Sequence, residues 1–239
     1  MMRQLGLIGG MSWESTQSYY QLINQTVKAK LGGLHSAKLC LYSVDFAEIA
    51  ELQTAGDWQR MTTILAGAAT SLKLAGSDAI VICTNTMHKI SGEISAASGL
   101  PVLHIADATA KRLKDDGVKR IALLGTRFTM QQDFYKARLQ DLHGIEVITP
   151  DGDQQALVHN IIYDELCRGE VNASSRQTYL DIINSLYQQG AEGIILGCTE
   201  IGLLVQQGHT QVPLYDTTKL HAEAVVEWSL GATSCFIHE

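Results

Sequence analysis

A chain of 239 residues, 46% of them apolar, can bury a sizeable core, and 18 Lys plus Arg against 25 Asp plus Glu leave a net charge of −7 with no basic run, which argues against a nucleic-acid partner. No apolar run reaches the roughly 18–20 residues that span a bilayer, and the N-terminus enters a strand-like segment at once, so the expectation is a soluble, unexported, cytoplasmic protein without a membrane partner. The five cysteines, at 40, 83, 167, 198 and 235, are an odd number without CxxC spacing, which suits reduced thiols better than a disulfide frame or a zinc site.

Short β-branched apolar runs alternate with longer amphipathic stretches along the whole chain, the pattern of parallel sheets with crossover helices. The spacing predicts a strand over 4–9 and a helix over 14–30, then a strand over 37–44 and a helix over 57–75. A strand over 78–83 precedes a helix over 88–98, and a strand over 102–105 precedes a helix over 106–116. Further on, strands are expected at 120–125, 145–149, 192–197 and 213–215, with helices over 130–142, 154–168, 174–190 and 218–230. The three prolines, at 101, 150 and 213, each stand beside a proposed strand and never inside a helix.

The two halves resemble each other. LGLIGGM near residue 5 is similar to IALLGTR near 121, and DAIVICTNT at 78 to EGIILGCTE at 192. The separations also agree, since Gly10 and Thr84 stand 74 positions apart and Thr126 and Cys198 72. A duplicated unit follows: two similar Rossmann-like α/β subdomains with parallel sheets, pseudo-twofold related, with a cleft between them at the carboxyl ends of their strands. The expected division is 1–106 plus 217–239 for one and 107–216 for the other.

Three segments at strand ends carry the polar groups. GLIGGMSWES runs from a strand into two glycines and then Ser12, Glu14 and Ser15, suited to a helix start. Its backbone N–H groups can bind a carboxylate, or the turn can simply join strand to helix; it is not GxGxxG, and no P-loop lysine follows. In CTNTMH, residues 83–88, Asn85 and Thr86 can grip a carboxylate, or cap the next helix while His88 fills the core. Strand alternation puts Cys83 in the sheet packing if Thr84 faces a ligand. In GCTE, residues 197–200, the start of a following helix would lower the pKa of Cys198. A lone cysteine is more often structural than catalytic, but the equivalence of Cys198 to Thr84 in the repeat favours catalysis. Thr126 offers a hydroxyl at a further strand end. Gln53, Glu165 and Asp45 lie on or near loops and helices that can close over a ligand, although periodicity alone assigns them to solvated faces. The eight histidines show no HxxxH or HExxH spacing, so no metal is expected.

Taken together, GGMSWEST at 9–16, CTNTMH at 83–88, HIADAT at 104–109, LLGTRFTM at 123–130 and GCTEI at 197–201 resemble the aspartate/glutamate racemase superfamily, in order and over nearly the whole chain. The resemblance implies an amino-acid racemase that needs neither pyridoxal phosphate nor metal, acts on a small-molecule amino acid and forms a homodimer. In the family two cysteines, one from each half, exchange protons on opposite faces of the α-carbon. The second matches Cys198, whereas the first matches Thr84, with Cys83 one residue early. By the same resemblance Met11, Asn85, Thr86, Thr126 and Thr199 line the substrate site, and Gln53 and Glu165 reach its side chain or ammonium group; an acidic Glu165 suits an ammonium. Two other functions stay open: a decarboxylase or isomerase of the same fold, and an amino-acid-binding protein that has lost catalysis with the first cysteine.

Overall fold

The computed structural model, which describes residues 2–232 and 235–236, is an α/β protein with two parallel sheets. The chain forms two compact units, one from the residues up to Ile105 together with those from His221 onward, the other from Ala106–Leu220.

The first unit begins with β1 (Leu5–Gly9), α1 (Trp13–Leu31), β2 (Leu39–Ser43), α2 (Phe46–Ala55), α3 (Trp58–Leu74) and β3 (Ala79–Ile82). A 3₁₀ turn over Thr86–Ile90 then leads into α4 (Ser91–Ser98). The sheet order is β2-β1-β3, with Leu5 opposite both Leu39 and Ala79. Every residue of β1 and β3 is buried, which is why their sequences, LGLIG and AIVI, read as unbroken apolar runs. Ile8, Ile80 and Ile82 pack with Met61, Leu65 and Ile94 from the covering helices.

Two elements differ from expectation. Helix α2 was not foreseen, yet its ends are marked: the Asp45 side chain accepts from the Ala47 N–H, and Gly56 closes it in the left-handed conformation. The strand expected at 102–105 reduces to one bridge between Val102 and Ile80. Pro101 contributes no N–H and offers only its carbonyl to Ile80, and by Ile105 the chain has turned into α5 (Ile105–Asp115).

The second unit holds β4 (Arg120–Gly125), α6 (Arg127–Gln131), α7 (Asp133–Ala137), β5 (Glu146–Ile148), α8 (Gly152–Asp164), α9 (Ala173–Gln188), β6 (Ile194–Gly197), α10 (Ile201–Leu204) and β7 (Leu214–Asp216). The last helix, α11 (Thr217–Ser229), returns the chain to the first unit. The sheet order is β5-β4-β6-β7, so in both units the earliest strand lies between the next two. The single helix expected over 130–142 is broken at Gln132, whose backbone is extended, and ends in a wide π-type turn over Arg138–Leu142. Among the described residues no helix is long and apolar enough to cross a membrane.

That wide turn brings Arg138 onto the fully buried carboxylate of Asp107, with Nε at 2.7 Å from one oxygen and Nη2 at 2.9 Å from the other. The His143 ring joins the cluster. Its Nδ1 lies 3.2 Å from the Lys114 ammonium, which only donates, so Nε2 carries the hydrogen and donates to Asp107 at 3.1 Å.

Candidate active site

In the first unit the polar groups gather where β1 and β3 end. Gly10 has φ +93°, and a side chain there would collide with the Val44 carbonyl, so the turn needs glycine. The Gly10 N–H donates to Thr16 Oγ1 at 2.8 Å and the Ser15 N–H to Ser12 Oγ at 3.2 Å. Two N–H groups open to a carboxylate on sequence grounds are thereby engaged within the turn. The Ser15 hydroxyl donates to the Cys83 carbonyl at 2.8 Å, tying this turn to the end of β3. The Met11 side chain lies in the apolar core with Ile8 and Met87.

Cys83 is fully buried, its thiol lies 4.0 Å from the Val81 carbonyl, and burial pushes its pKa far above the ordinary thiol range. Thr84, the next residue, keeps exposed surface. Cys83→Ala is expected to cost about 1 kcal/mol through the small cavity it leaves. Iodoacetamide should not alkylate Cys83 in the folded protein, and alkylation at the rate of a free thiol would show the site to be open.

Asn85 and Thr86 are buried beyond Thr84, and Asn85 supplies no side-chain cap to the 3₁₀ turn. Gln53 is a correction: it is only 5% exposed, not on a solvated face. Once α2 forms, Gln53 falls one turn after Ile49, and both point inward.

In the second unit β4 and β6 lie unusually close at their ends. A Cβ on Gly125 would stand 2.9 Å from the Gly197 carbonyl oxygen, so this pairing needs a residue without a side chain. Thr126 follows Gly125, is buried, and caps α6, its Oγ1 lying 3.2 Å from Thr129 Oγ1. Cys198 follows Gly197. Its S–H donates to Glu200 Oε2 at 3.0 Å, and the Thr199 hydroxyl donates to the same oxygen at 2.6 Å.

This geometry reverses the expected electrostatics. The residue keeps some exposed surface, yet loss of hydration pushes the Cys198 thiol well above its ordinary range, and the Glu200 carboxylate adds to the shift; the Glu200 N–H opposes it only weakly. The helix beyond, α10, has four residues, too short a dipole to offset a carboxylate at hydrogen-bond distance. Glu200 is itself only 4% exposed. It was legible in GCTE as a residue but not as a partner, because only the turn after β6 folds it back onto the thiol. A thiol held this way delivers a proton as an acid. It accepts one only after losing its own, to Glu200 or to solvent.

Glu165 ends α8 and binds the start of α9, accepting from Ser175 Oγ at 2.9 Å and Asn172 Nδ2 at 3.0 Å. Its carboxylate is therefore held within the unit, half-buried, with lone pairs left for an ammonium. Among the described residues no group of three His, Cys, Asp or Glu side chains could hold a metal.

The chain as a whole is similar to known proteins. The chain is 58% identical to a Yersinia pestis protein proposed to be an Asp/Glu racemase, with a TM-score of 0.90 over 96% of this chain and 100% of that one. It is 31% identical to an aspartate racemase homologue from Pyrococcus horikoshii, with a TM-score of 0.83 over the same shares. Among curated sequences it is 25% identical to the broad specificity amino-acid racemase RacX of Bacillus subtilis, over 96% of this chain and 100% of that protein. The Asp/Glu/hydantoin racemase family model matches residues 8–225, which spans all four strand ends described above, and the chain belongs to that family.

Proposed function

We propose that the protein is a cofactor-independent amino-acid racemase of the aspartate/glutamate type, acting on free amino acids through Cys198 and Thr84. The observation that carries this reading is the Cys198–Glu200 pair at the end of β6, a thiol whose proton has a carboxylate to go to. The family and the names of the relatives support the amino-acid class of substrate, and the homodimer implied by the resemblance belongs to the same proposal.

Inversion at one carbon needs a proton taken from one face and another delivered to the opposite face. On this reading the thiol proton of Cys198 passes to Glu200, and the thiolate takes the α-proton of the L-enantiomer. The electron pair left on the α-carbon spreads into the carboxylate. The new C–H bond forms with a proton from the Thr84 hydroxyl or from a water it holds; solvent then returns a proton to that oxygen and takes the one held by Glu200, which restores the starting state. Asn85, Thr86, Thr126 and Thr199, with the Met11 backbone, bind the α-carboxylate, while Gln53 and Glu165 address the side chain or ammonium. The two lobes, 1–106 with 217–239 and 107–216, each supply one of the proton-transfer groups.

Because a hydroxyl is a far weaker acid than a thiol, the two faces should be unequal. In deuterated water, L-substrates drawn from a panel of amino acids are expected to exchange the α-proton faster than they invert, since return from Cys198 competes with delivery from the Thr84 side. Thr84→Cys, assayed with reductant, should bring inversion towards the exchange rate. If no amino acid loses its α-proton, or if a disubstituted malonate instead releases carbon dioxide, the racemase reading is wrong.

A further inference from the structure

Behind Thr84 the first unit buries three histidines, His88, His104 and His221, each less than 5% exposed. The His88 ring packs 4.6 Å from His104 and 5.7 Å from His221, centroid to centroid. Hydrogen bonding fixes which nitrogens carry hydrogen. The Ile105 N–H can only donate, and it meets His88 Nε2 at 3.2 Å. Nδ1 is therefore the protonated nitrogen of His88, and it donates to the Thr84 carbonyl at 2.9 Å. His221 Nε2 donates to the Leu103 carbonyl at 2.7 Å and its Nδ1 accepts from the Tyr19 hydroxyl at 2.8 Å. Tyr19 thus orients His221, His221 holds Leu103 two residues before Ile105, and Ile105 orients His88 onto Thr84.

From this buried series we infer that His88, supported by His221, is a positioning residue that holds the Thr84 backbone and so sets the efficiency of proton delivery from that side. The inference rests on the racemase reading and deepens it. Thr84 lies between the end of β3 and the 3₁₀ turn, outside any regular ladder. Its carbonyl is gripped by a buried ring whose own orientation is set by its other nitrogen, so rotation of the Thr84 peptide breaks a partly buried hydrogen bond. A hydroxyl is the weaker of the two proton-transfer groups and is the one that suffers most from displacement.

Three variants separate positioning from packing. His88→Phe keeps an aromatic ring against His104 but loses both hydrogen bonds. His88→Asn places an amide N–H where Nδ1 stood and keeps the tie to Thr84. His88→Gln places its amide near the Nε2 position and keeps only the tie to Ile105. The measurement is paired, with inversion and α-proton exchange followed on the same L-substrate in deuterated water. His88→Phe and His88→Gln are expected to lower kcat for inversion by about 10- to 100-fold. Exchange at the Cys198 face and KM should stay within about threefold, and His88→Asn should restore inversion to within about threefold of wild type. If His88→Phe does not fold, the Asn and Gln variants carry the comparison alone. Equal inversion by all variants, equal loss of exchange and inversion, or failure of His88→Asn to rescue would overturn the assignment while leaving the racemase reading intact. A wild type that exchanges no α-proton overturns the racemase reading and this assignment with it.

Discussion

Cys198→Ser is expected to abolish α-proton exchange with every amino acid the wild-type protein accepts, by at least about 10³-fold. Serine keeps the size of the side chain and can still donate to Glu200, so the fold and the ground-state hydrogen bond survive. What is lost is an acidic proton. A serine hydroxyl does not give up its proton to a carboxylate in the way a thiol can, so the group that takes the α-proton on this reading is lost. The wild type adds a signature in pH. Since burial and Glu200 both hold the thiol high, the thiolate fraction keeps growing through the neutral range into the alkaline one, and exchange of the L-substrate should climb with it. That rising limb should be missing from Cys198→Ser. Exchange in the variant within about tenfold of wild type would transfer the role of base to another group.

The largest expected effect on stability lies elsewhere, at Arg138. Removing the guanidinium in Arg138→Met leaves the fully buried Asp107 carboxylate without its bidentate partner, which should cost about 3–5 kcal/mol in urea denaturation. Most of that is the penalty of stranding a charge and not the worth of the pair. The double change Asp107→Leu with Arg138→Met should therefore recover the greater part of the loss, since an apolar pair of similar volume strands nothing. A double variant as unstable as Arg138→Met would show that the ion pair itself, and not the orphaned carboxylate, supports the second unit.

The legible parts of this fold were those with a strong local signal. β1, β3, β4 and β6 are buried on both faces and read as continuous apolar runs. Helix α2 escaped because its turn signals, Asp45 and Gly56, flank a stretch with weak amphipathic contrast, and that omission carried Gln53 to the wrong surface. The segment at 102–105 looked like a strand because VLHI is apolar; its burial comes from packing, with one bridge in place of a ladder. The break at Gln132 has no glycine or proline to announce it, and only tertiary contacts such as Arg138 with Asp107 account for the wide turn that follows. The site divides in the same way. Cys198 and Thr84 were visible as strand-end residues, whereas the roles of Glu200 and His88 depend on turns that fold one side chain back and bury another.

The first unit is built from two stretches of chain that flank the second, which sets the order in which the two can close during synthesis. Residues 106–220 form the second unit as one continuous stretch, so it can close as soon as that stretch has left the ribosome. The first unit cannot, because His221, Ala222, Val225 and Val226 belong to its interior and Arg3 donates its N–H to the Ser229 carbonyl. Its early residues must wait, incomplete, until residues 221–229 have been made. In a growing chain the unit that starts first is the one that finishes last.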